Sequence, residues 1–310
     1  MAAESPSDGV VELNDQLVST LLPRRAPGSH KGSHGTLVCV CGSAEYAGAA
    51  LLVAAAATRG GAGLVALAVP ASLVPVVAGR VPEAVSLALP ETAPGEPDVE
   101  PARAVIAARR PNALVIGSGL RENEANRQLV LAIVRQPPAD PDGAARERLA
   151  PAVVDGGALN MLARSGDWWS EVRRQCVLTP HPGEFARLTG EGVGAEDGER
   201  AARARTAASQ FGQVVVLKGA HTVVAAPDGR TAVSDLAVPS LASAGTGDVL
   251  AGLIGALLAQ GLAAFDAACA GVLLHARAGE RVGRRLGEAG LVASDLPLEI
   301  ALVRHDLAAG

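Results

Sequence analysis

The sequence predicts a single α/β domain: a central, mostly parallel sheet with helices on both faces. Three observations carry that reading. Short apolar runs alternate with longer Ala/Leu-rich stretches of helical character along most of the chain, as repeated strand–helix–strand units do. The first such unit, over residues 36–69, has the length that a parallel crossover requires. Several of the predicted strands end in Gly, Asp or Lys, at the edge where open α/β sheets gather ligands.

Taken in order, residues 1–9 are expected to be a disordered tail, with one domain over 10–310. Residues 10–22 read as a short helix ended by Pro23. After a polar loop, a buried strand over 36–41 is closed by Gly42-Ser43, and a helix runs from Gly48 to Arg59. Gly60-Gly61-Ala62-Gly63 ends it, and a second strand covers 64–69. A helix over 71–79, a strand over 84–89, a Pro/Glu-rich loop over 91–100 and a helix over 102–109 follow. The next strand, 113–116, runs into Gly117-Ser118-Gly119. A helix over 123–135 precedes a Pro/Asp/Ala-rich stretch, 136–147, expected to be a mobile insert. A strand over 152–155 ends in an acid, and a short strand over 176–178 leads into Thr179-Pro180-His181-Pro182-Gly183-Glu184. Next come a helix over 200–211 and a strand over 214–217 that ends in Lys218-Gly219. Residues 222–226 and 231–234 form a hairpin around Pro227-Asp228-Gly229. Two helices follow, one from the Gly245–Asp248 motif and one over 263–281, and residues 279–310 are expected to pack peripherally.

The 310 residues are 49% hydrophobic and 19% charged, with a net charge of −5, enough for a large core. No basic stripe is visible and only six residues are aromatic, which argues against nucleic-acid binding. Cys39, Cys41, Cys176 and Cys269 lack zinc-site spacing and read as reduced, buried thiols of a cytoplasmic protein. The N-terminus lacks a basic region followed by a long apolar core, so no signal peptide is expected. The apolar stretches are shorter than a membrane span.

Ser243 to Gly261, SAGTGDVLAGLIGALLAQG, organises the rest. Gly245 and Gly247 permit a tight turn and close backbone approach to a ligand. The helix that follows leaves its first N–H groups unpaired at its positive dipole end, which suits a phosphate. Asp248 is either a helix cap or a base that takes a proton from an attacking hydroxyl. Lys218, at a strand end beside Gly219, is a candidate phosphate cation or a solvated lysine. His181 and Glu184 stand in a segment stiffened by two prolines. His181 could bond a ligand, and Glu184 could organise a hydrated magnesium ion or serve as a first-turn acid. Asp155 could be a base, a magnesium relay or an Asx turn, and the structural reading is preferred. Asn123 and Asn160 read as caps or turn residues, His30-Lys31-Gly32 as a loop, and His275 as a core histidine. Gly42, Gly117, Asp155, Thr179, Lys218 and Asp248 can all lie around one cleft.

The stretches SHKGSHGTLVCVCGS, AGAALLVAAAATRGGAGLV, VVDGGALNML, LTPHPGEFARL, VVVLKGAHTVVAAPDGR and AGTGDVLAGLIGALLAQG occur in this order from Ser29 to Gly261. Together they resemble the NAD(P)H-hydrate dehydratases of the ribokinase-like superfamily, over nearly the whole chain. The resemblance implies a cytoplasmic repair enzyme that dehydrates hydrated NADH or NADPH (the S epimer). It would use ADP, as most bacterial members do, or ATP, with magnesium as cofactor. It also implies a homotetramer and a separate epimerase as pathway partner, since this chain begins close to the dehydratase motifs. Asp248 would deprotonate the ring hydroxyl as it attacks the terminal phosphoryl group. The backbone N–H groups of Gly245, Thr246 and Gly247 would hold the developing charge. Lys218, Gly219, Ala220, His221, Thr222 and Gly247 would touch the nucleotide. Gly48, Ala49, Gly119, His181 and Asp248 would touch the hydrated cofactor, and Glu184 would reach magnesium through water.

Three positions depart from the family pattern. Ala47 stands where many relatives have Pro. Gly117-Ser118-Gly119 replaces Gly-Pro-Gly, and Gly157 replaces the second acid of Asp-Ala-Asp-Ala-Leu. The nearest rival reading is a ribokinase-like kinase for a hydroxymethylpyrimidine or thiazole alcohol. Those kinases tend to carry Thr-Pro-Asn where this chain has His181. A nucleotide-binding protein without catalysis is the third reading, and retention of Asp248, both glycines and Lys218 argues against it.

Overall fold

The computed structural model describes residues 9–135 and 149–309. The expected tail over 1–9, all but Gly9, and the whole of the expected insert over 136–147 lie outside the described residues.

The chain opens with β1 (Val10–Glu12) and α1 (Asp15–Leu21). Next come β2 (Thr36–Val40), α2 (Ala47–Arg59), β3 (Leu64–Pro70), α3 (Val74–Val77) and β4 (Ala84–Leu89). A small hairpin, β5 (Glu91–Ala93) with β6 (Glu96–Pro97), precedes α4 (Val99–Ala107), β7 (Ala113–Ile116) and α5 (Glu124–Val134). Then follow β8 (Ala152–Val154), α6 (Gly157–Ala163), β9 (Cys176–Leu178), α7 (Pro182–Thr189) and α8 (Asp197–Phe211). The last elements are β10 (Val214–Leu217), β11 (Val223–Ala225), β12 (Thr231–Val233), α9 (Thr246–Ala259), α10 (Ala264–Leu286) and α11 (Leu296–Ala309).

Ten strands form one sheet in the order β1-β12-β11-β10-β9-β8-β7-β2-β3-β4. Pairing is parallel except where β11 meets β10 and β12. Alternate side chains feed two cores. Leu37, Cys39, Val65, Val115 and Val216 face α2, α9, α10 and α11. Val38, Val40, Leu114, Ile116, Val154 and Leu217 face α4 to α8. α9 is apolar on every side and almost wholly buried, as a helix between a sheet and other helices must be. At Gly252 it crosses α2 so closely that an added Cβ would lie 2.4 Å from the Val53 carbonyl oxygen.

Three sequence expectations need correction. Residues 10–22 are not one helix, because Val10–Glu12 adds a parallel edge strand to β12 before Asn14 caps α1. The 91–100 loop contains the β5–β6 hairpin. The C-terminal stretch is not peripheral, since Leu296, Ile300 and Val303 of α11 are buried in the core.

The direction in which successive strands are added reverses between β2 and β7, which stay parallel: β3 and β4 lie on one side of β2, and β7, β8 and β9 on the other. Such a switch point opens a crevice at the carboxyl ends of the strands. Gly42 N–H crosses it to the Ser118 carbonyl at 2.8 Å. Gly117 has φ +116, and an added Cβ would meet the Asp155 carbonyl oxygen at 2.0 Å, so only glycine fits this turn.

Candidate active site

The site starts from α9. Gly245 takes the left-handed conformation, φ +88, which glycine adopts without steric cost. Val249 N–H makes a helical bond to Gly245 C=O at 3.2 Å. The N–H groups of Gly247 and Asp248 lie ahead of that bond, in the first turn where no intrahelical acceptor exists. The Thr246 N–H instead turns back to Ser243 C=O at 3.4 Å. The Thr246 hydroxyl is bonded to the Leu241 and Ser243 carbonyls, each at 2.9 Å. Thr246 therefore fixes the loop, while Gly247 keeps a side clear. An added Cβ at Gly247 would sit 3.3 Å from Lys218 Nζ.

Asp155, just past β8, is the hub on the sheet side and is 3% exposed. It accepts from Ser118 Oγ at 2.9 Å, Thr179 Oγ1 at 2.7 Å and Lys218 Nζ at 3.0 Å. Lys218 also faces Glu184 at 3.9 Å. Burial alone would lower the Lys218 pKa, but Asp155 and Glu184 outweigh it and the net shift is upward. Burial, then the neighbouring Asp155, raises the Asp248 carboxyl to about 6, against the pull of Ser118 and Lys218. Asp248 is thus poised to exchange a proton near neutral pH.

His181 caps α7. Its Nδ1 accepts from the N–H groups of Gly183 at 3.0 Å and Glu184 at 3.4 Å, and Glu184 accepts from His181 N–H at 2.9 Å. This reciprocal box leaves the proton on Nε2. Burial, Lys218 and Arg187 lower the His181 pKa, so the ring is a neutral Nε2–H donor. Glu184 is buried and its pKa is raised, chiefly by that burial.

A cavity of about 460 Å³ opens beside these groups. Lys218, Gly219, Ala220, Thr222, Thr246 and Gly247 line its polar end, and Leu236, Val238, Leu241, Leu250 and Val272 its apolar end. His181 also lines it. His221 does not: it pairs with Asp197 at 2.6 Å. The remaining expected substrate residues lie at the crevice. Ala49 meets Gly119, whose added Cβ would be 2.7 Å from the alanine Cβ, while Gly48 has open space beside it.

Sequence reasoning missed Arg200 altogether and, for His275, expected as a core histidine, missed the contact it makes. Arg200 is buried and donates to the Leu217 and Lys218 carbonyls at 3.3 and 3.0 Å, and no local motif marks it. His275 is buried, and its Nε2–H donates to Thr246 C=O at 2.9 Å. Burial drives its pKa down to about 4, so it is a neutral brace for the α9 loop. His275 stands 29 residues past Thr246, on the next helix, and only the fold brings the two together.

A doubly wound sheet with a buried acid, a lysine and a helix N-terminus at its carboxyl edge has the ribokinase-like fold. The chain superposes with TM-score 0.82 on a ribokinase-like superfamily protein from Enterococcus faecalis V583, at 20% identity with 100% of both chains covered. More narrowly, a family model described as NAD(P)H-hydrate dehydratase matches residues 37–300, and the chain belongs to that family. The ADP-dependent (S)-NAD(P)H-hydrate dehydratase of Xanthomonas campestris pv. campestris is 38% identical over 279 residues, 90% of this chain and 91% of that protein. The solved ADP/ATP-dependent NAD(P)H-hydrate dehydratase of Bacillus subtilis, co-crystallised with ATP/Mg2+, is 29% identical with TM-score 0.76, covering 97% of this chain and 100% of its own. The chain spans about half the length of other curated relatives, bifunctional NAD(P)H-hydrate repair enzymes, at 55% and 50%.

Proposed function

We propose that this chain is an ADP-dependent dehydratase that returns the S epimer of hydrated NADH or NADPH to the reduced cofactor. The observation that carries the reading is Asp248, a carboxylate raised to about 6 at the N-terminal turn of α9. Hydroxide is a poor leaving group and phosphate a good one. Asp248 takes the proton of the ring hydroxyl as that oxygen attacks the terminal phosphoryl of ADP, and AMP departs. Lys218 and the Gly247 N–H face the charge that develops on the phosphoryl oxygens. The ring nitrogen then supplies the electron pair that expels phosphate from the neighbouring carbon, and loss of a ring proton restores the double bond. His181 offers its Nε2–H to the substrate beside the crevice lined by Gly48, Ala49 and Gly119. Gly219, Ala220 and Thr222 belong to the nucleotide side, and His221 would join them only by leaving Asp197.

Magnesium fits this charge balance. Asp155, Glu184 and Asp248 surround one ammonium, and a nucleotide would add more negative charge. Among the described residues no cluster of three or more His, Cys, Asp or Glu could hold a metal. The ion would therefore come in on the phosphates with its waters, with Glu184 in reach of one of them. When bound, it would neutralise charge on the transferred group.

The four cysteines are free and buried, which favours a cytoplasmic protein, and no described helix is long and apolar enough to cross a membrane. Self-association as a homotetramer and a separate epimerase for the R form complete the reading. The test is absorbance at 340 nm with hydrated NADH, magnesium, and ADP or ATP. A nucleotide-dependent rise supports a dehydratase, and the better nucleotide decides the subclass. No rise, with phosphorylation of a pyrimidine or thiazole alcohol, would transfer the chain to the kinases.

A further inference from the structure

We propose that Arg200 is a positioning residue for nucleotide binding, on the reading that residues 218–222 hold the nucleotide: its guanidinium fills the space of a Gly219 side chain and pins the main chain of Lys218 from behind. Arg200 stands at the start of α8 and is 6% exposed. Its Nη2 donates to the Leu217 carbonyl at 3.3 Å and to the Lys218 carbonyl at 3.0 Å. A guanidinium stays charged when buried, so hiding it costs free energy that these bonds offset. Both acceptors are main-chain oxygens at the point where β10 ends and the loop begins. The Lys218 N–H is bonded in turn to the Pro180 carbonyl at 2.9 Å. The peptide groups on both sides of Lys218 are therefore fixed, and its ammonium is delivered to Asp155 at 3.0 Å and to the flank of Gly247. Thr222 Oγ1 closes the loop on the Gly219 carbonyl at 3.1 Å.

Gly219 shows what Arg200 demands. Its φ lies outside the left-handed region, so the backbone conformation does not require glycine. Space does. An added Cβ would lie 2.9 Å from Arg200 Cζ and closer still to Nη2. The end of a free arginine would swing away from a methyl group. This one is bonded to two carbonyls and could yield only by breaking those bonds. Gly219→Ala and the loss of Arg200 therefore disturb the loop in the same way.

The test is calorimetric titration of ADP into wild type, Arg200→Met, Arg200→Lys, Gly219→Ala and the double variant Arg200→Met/Gly219→Ala. Arg200→Met and Gly219→Ala should each raise the Kd roughly tenfold. The double variant should stay near the same roughly tenfold rise, where independent effects would multiply to about a hundredfold. Arg200→Lys should recover part of the loss, since an ammonium can meet one of the carbonyls. In steady-state kinetics the KM for ADP should follow the Kd, while kcat at saturating ADP and the KM for hydrated NADH stay within about twofold of wild type, as loss of uniform binding requires. An unchanged Kd in folded Arg200→Met overturns the proposal; if that variant does not fold, an unchanged Kd in Gly219→Ala does so. A hundredfold loss in the double variant, or an equal rise in the KM for hydrated NADH, overturns it too. A wild type that binds no ADP overturns the nucleotide reading itself, and this proposal with it. Coupled losses of ADP affinity in a protein that does not dehydrate hydrated NADH uphold the role of Arg200 and overturn the reaction assigned to the site.

Discussion

Asp248→Asn separates catalysis from stability, because the two should change in opposite directions. The folded protein holds this carboxyl at about 6 instead of 3.8, mainly through burial. Between those values the native state keeps a proton that the unfolded chain has released. Wild type is therefore free of the penalty below about pH 4 and bears all of it above about pH 6. Two units at about 1.4 kcal/mol each set an upper bound near 3 kcal/mol. Asparagine also forfeits the attraction of Lys218, and solvent screens part of the charge, so about 1–2 kcal/mol is the expected gain. Urea denaturation at pH 4 and pH 8 measures it. The variant should match wild type at pH 4, exceed it at pH 8, and lose about 10²–10⁴ in dehydration rate while still binding ADP. Equal stability at pH 8, or a gain of the same size at both pH values, would refute the picture of a desolvated, poised base. Turnover at the wild-type rate would remove Asp248 from the role of base altogether.

Two further substitutions probe the surroundings. Lys218→Met strips Asp155 of its 3.0 Å partner and leaves Glu184 facing it without a cation. It should cost about 3 kcal/mol in chemical denaturation, raise the KM for ADP at least about tenfold, and move the acid limb of the pH–rate profile upward, since Lys218 lowers the Asp248 pKa. An acid limb that stays in place would mean that Lys218 does not act on the base. Gly252→Ala presses a methyl group against the Val53 carbonyl, where an added Cβ would sit at 2.4 Å. Thermal melting should show a loss of about 1–3 kcal/mol with kcat per folded molecule unchanged; unaltered stability would show that α2 and α9 can move apart freely.

The alternation of apolar runs located most of the sheet because buried parallel strands read as unbroken apolar segments. Ala84–Leu89, Ala113–Ile116, Cys176–Leu178 and Val214–Leu217 have the bounds expected. The edges were less legible. Val10–Glu12 has only three residues and an exposed Val11; nothing local distinguishes it from the start of a helix, and only the free edge of β12 makes it a strand. α11 has buried residues at 296, 300 and 303, a helical stripe within a sequence that carries polar residues on its other side. Its place against α10 and α2 depends on contacts distant in sequence.

The motifs marked residues that the fold brings to one cleft, such as His181, Lys218 and Gly247, but their supporting partners are set by register. Gly117 N–H bonds to Val40 C=O at 3.1 Å, Asp155 N–H to Ile116 C=O at 3.0 Å, and Thr179 N–H to Val154 C=O at 3.1 Å. The parallel ladder thus continues one residue past each strand, bringing Gly117, Asp155 and Thr179 into one row at the carboxyl edge. Lys218 joins it through a 2.9 Å bond to Pro180 C=O. Asp155 read in isolation is a turn-capping acid. Placed in that row, with a hydroxyl on either side and an ammonium above, it is the fixed negative charge that holds Lys218 where a phosphate would need it and discourages Asp248 from ionising too readily. The strand ends were visible in the sequence; the pairing that turns four of them into one electrostatic unit required the sheet order.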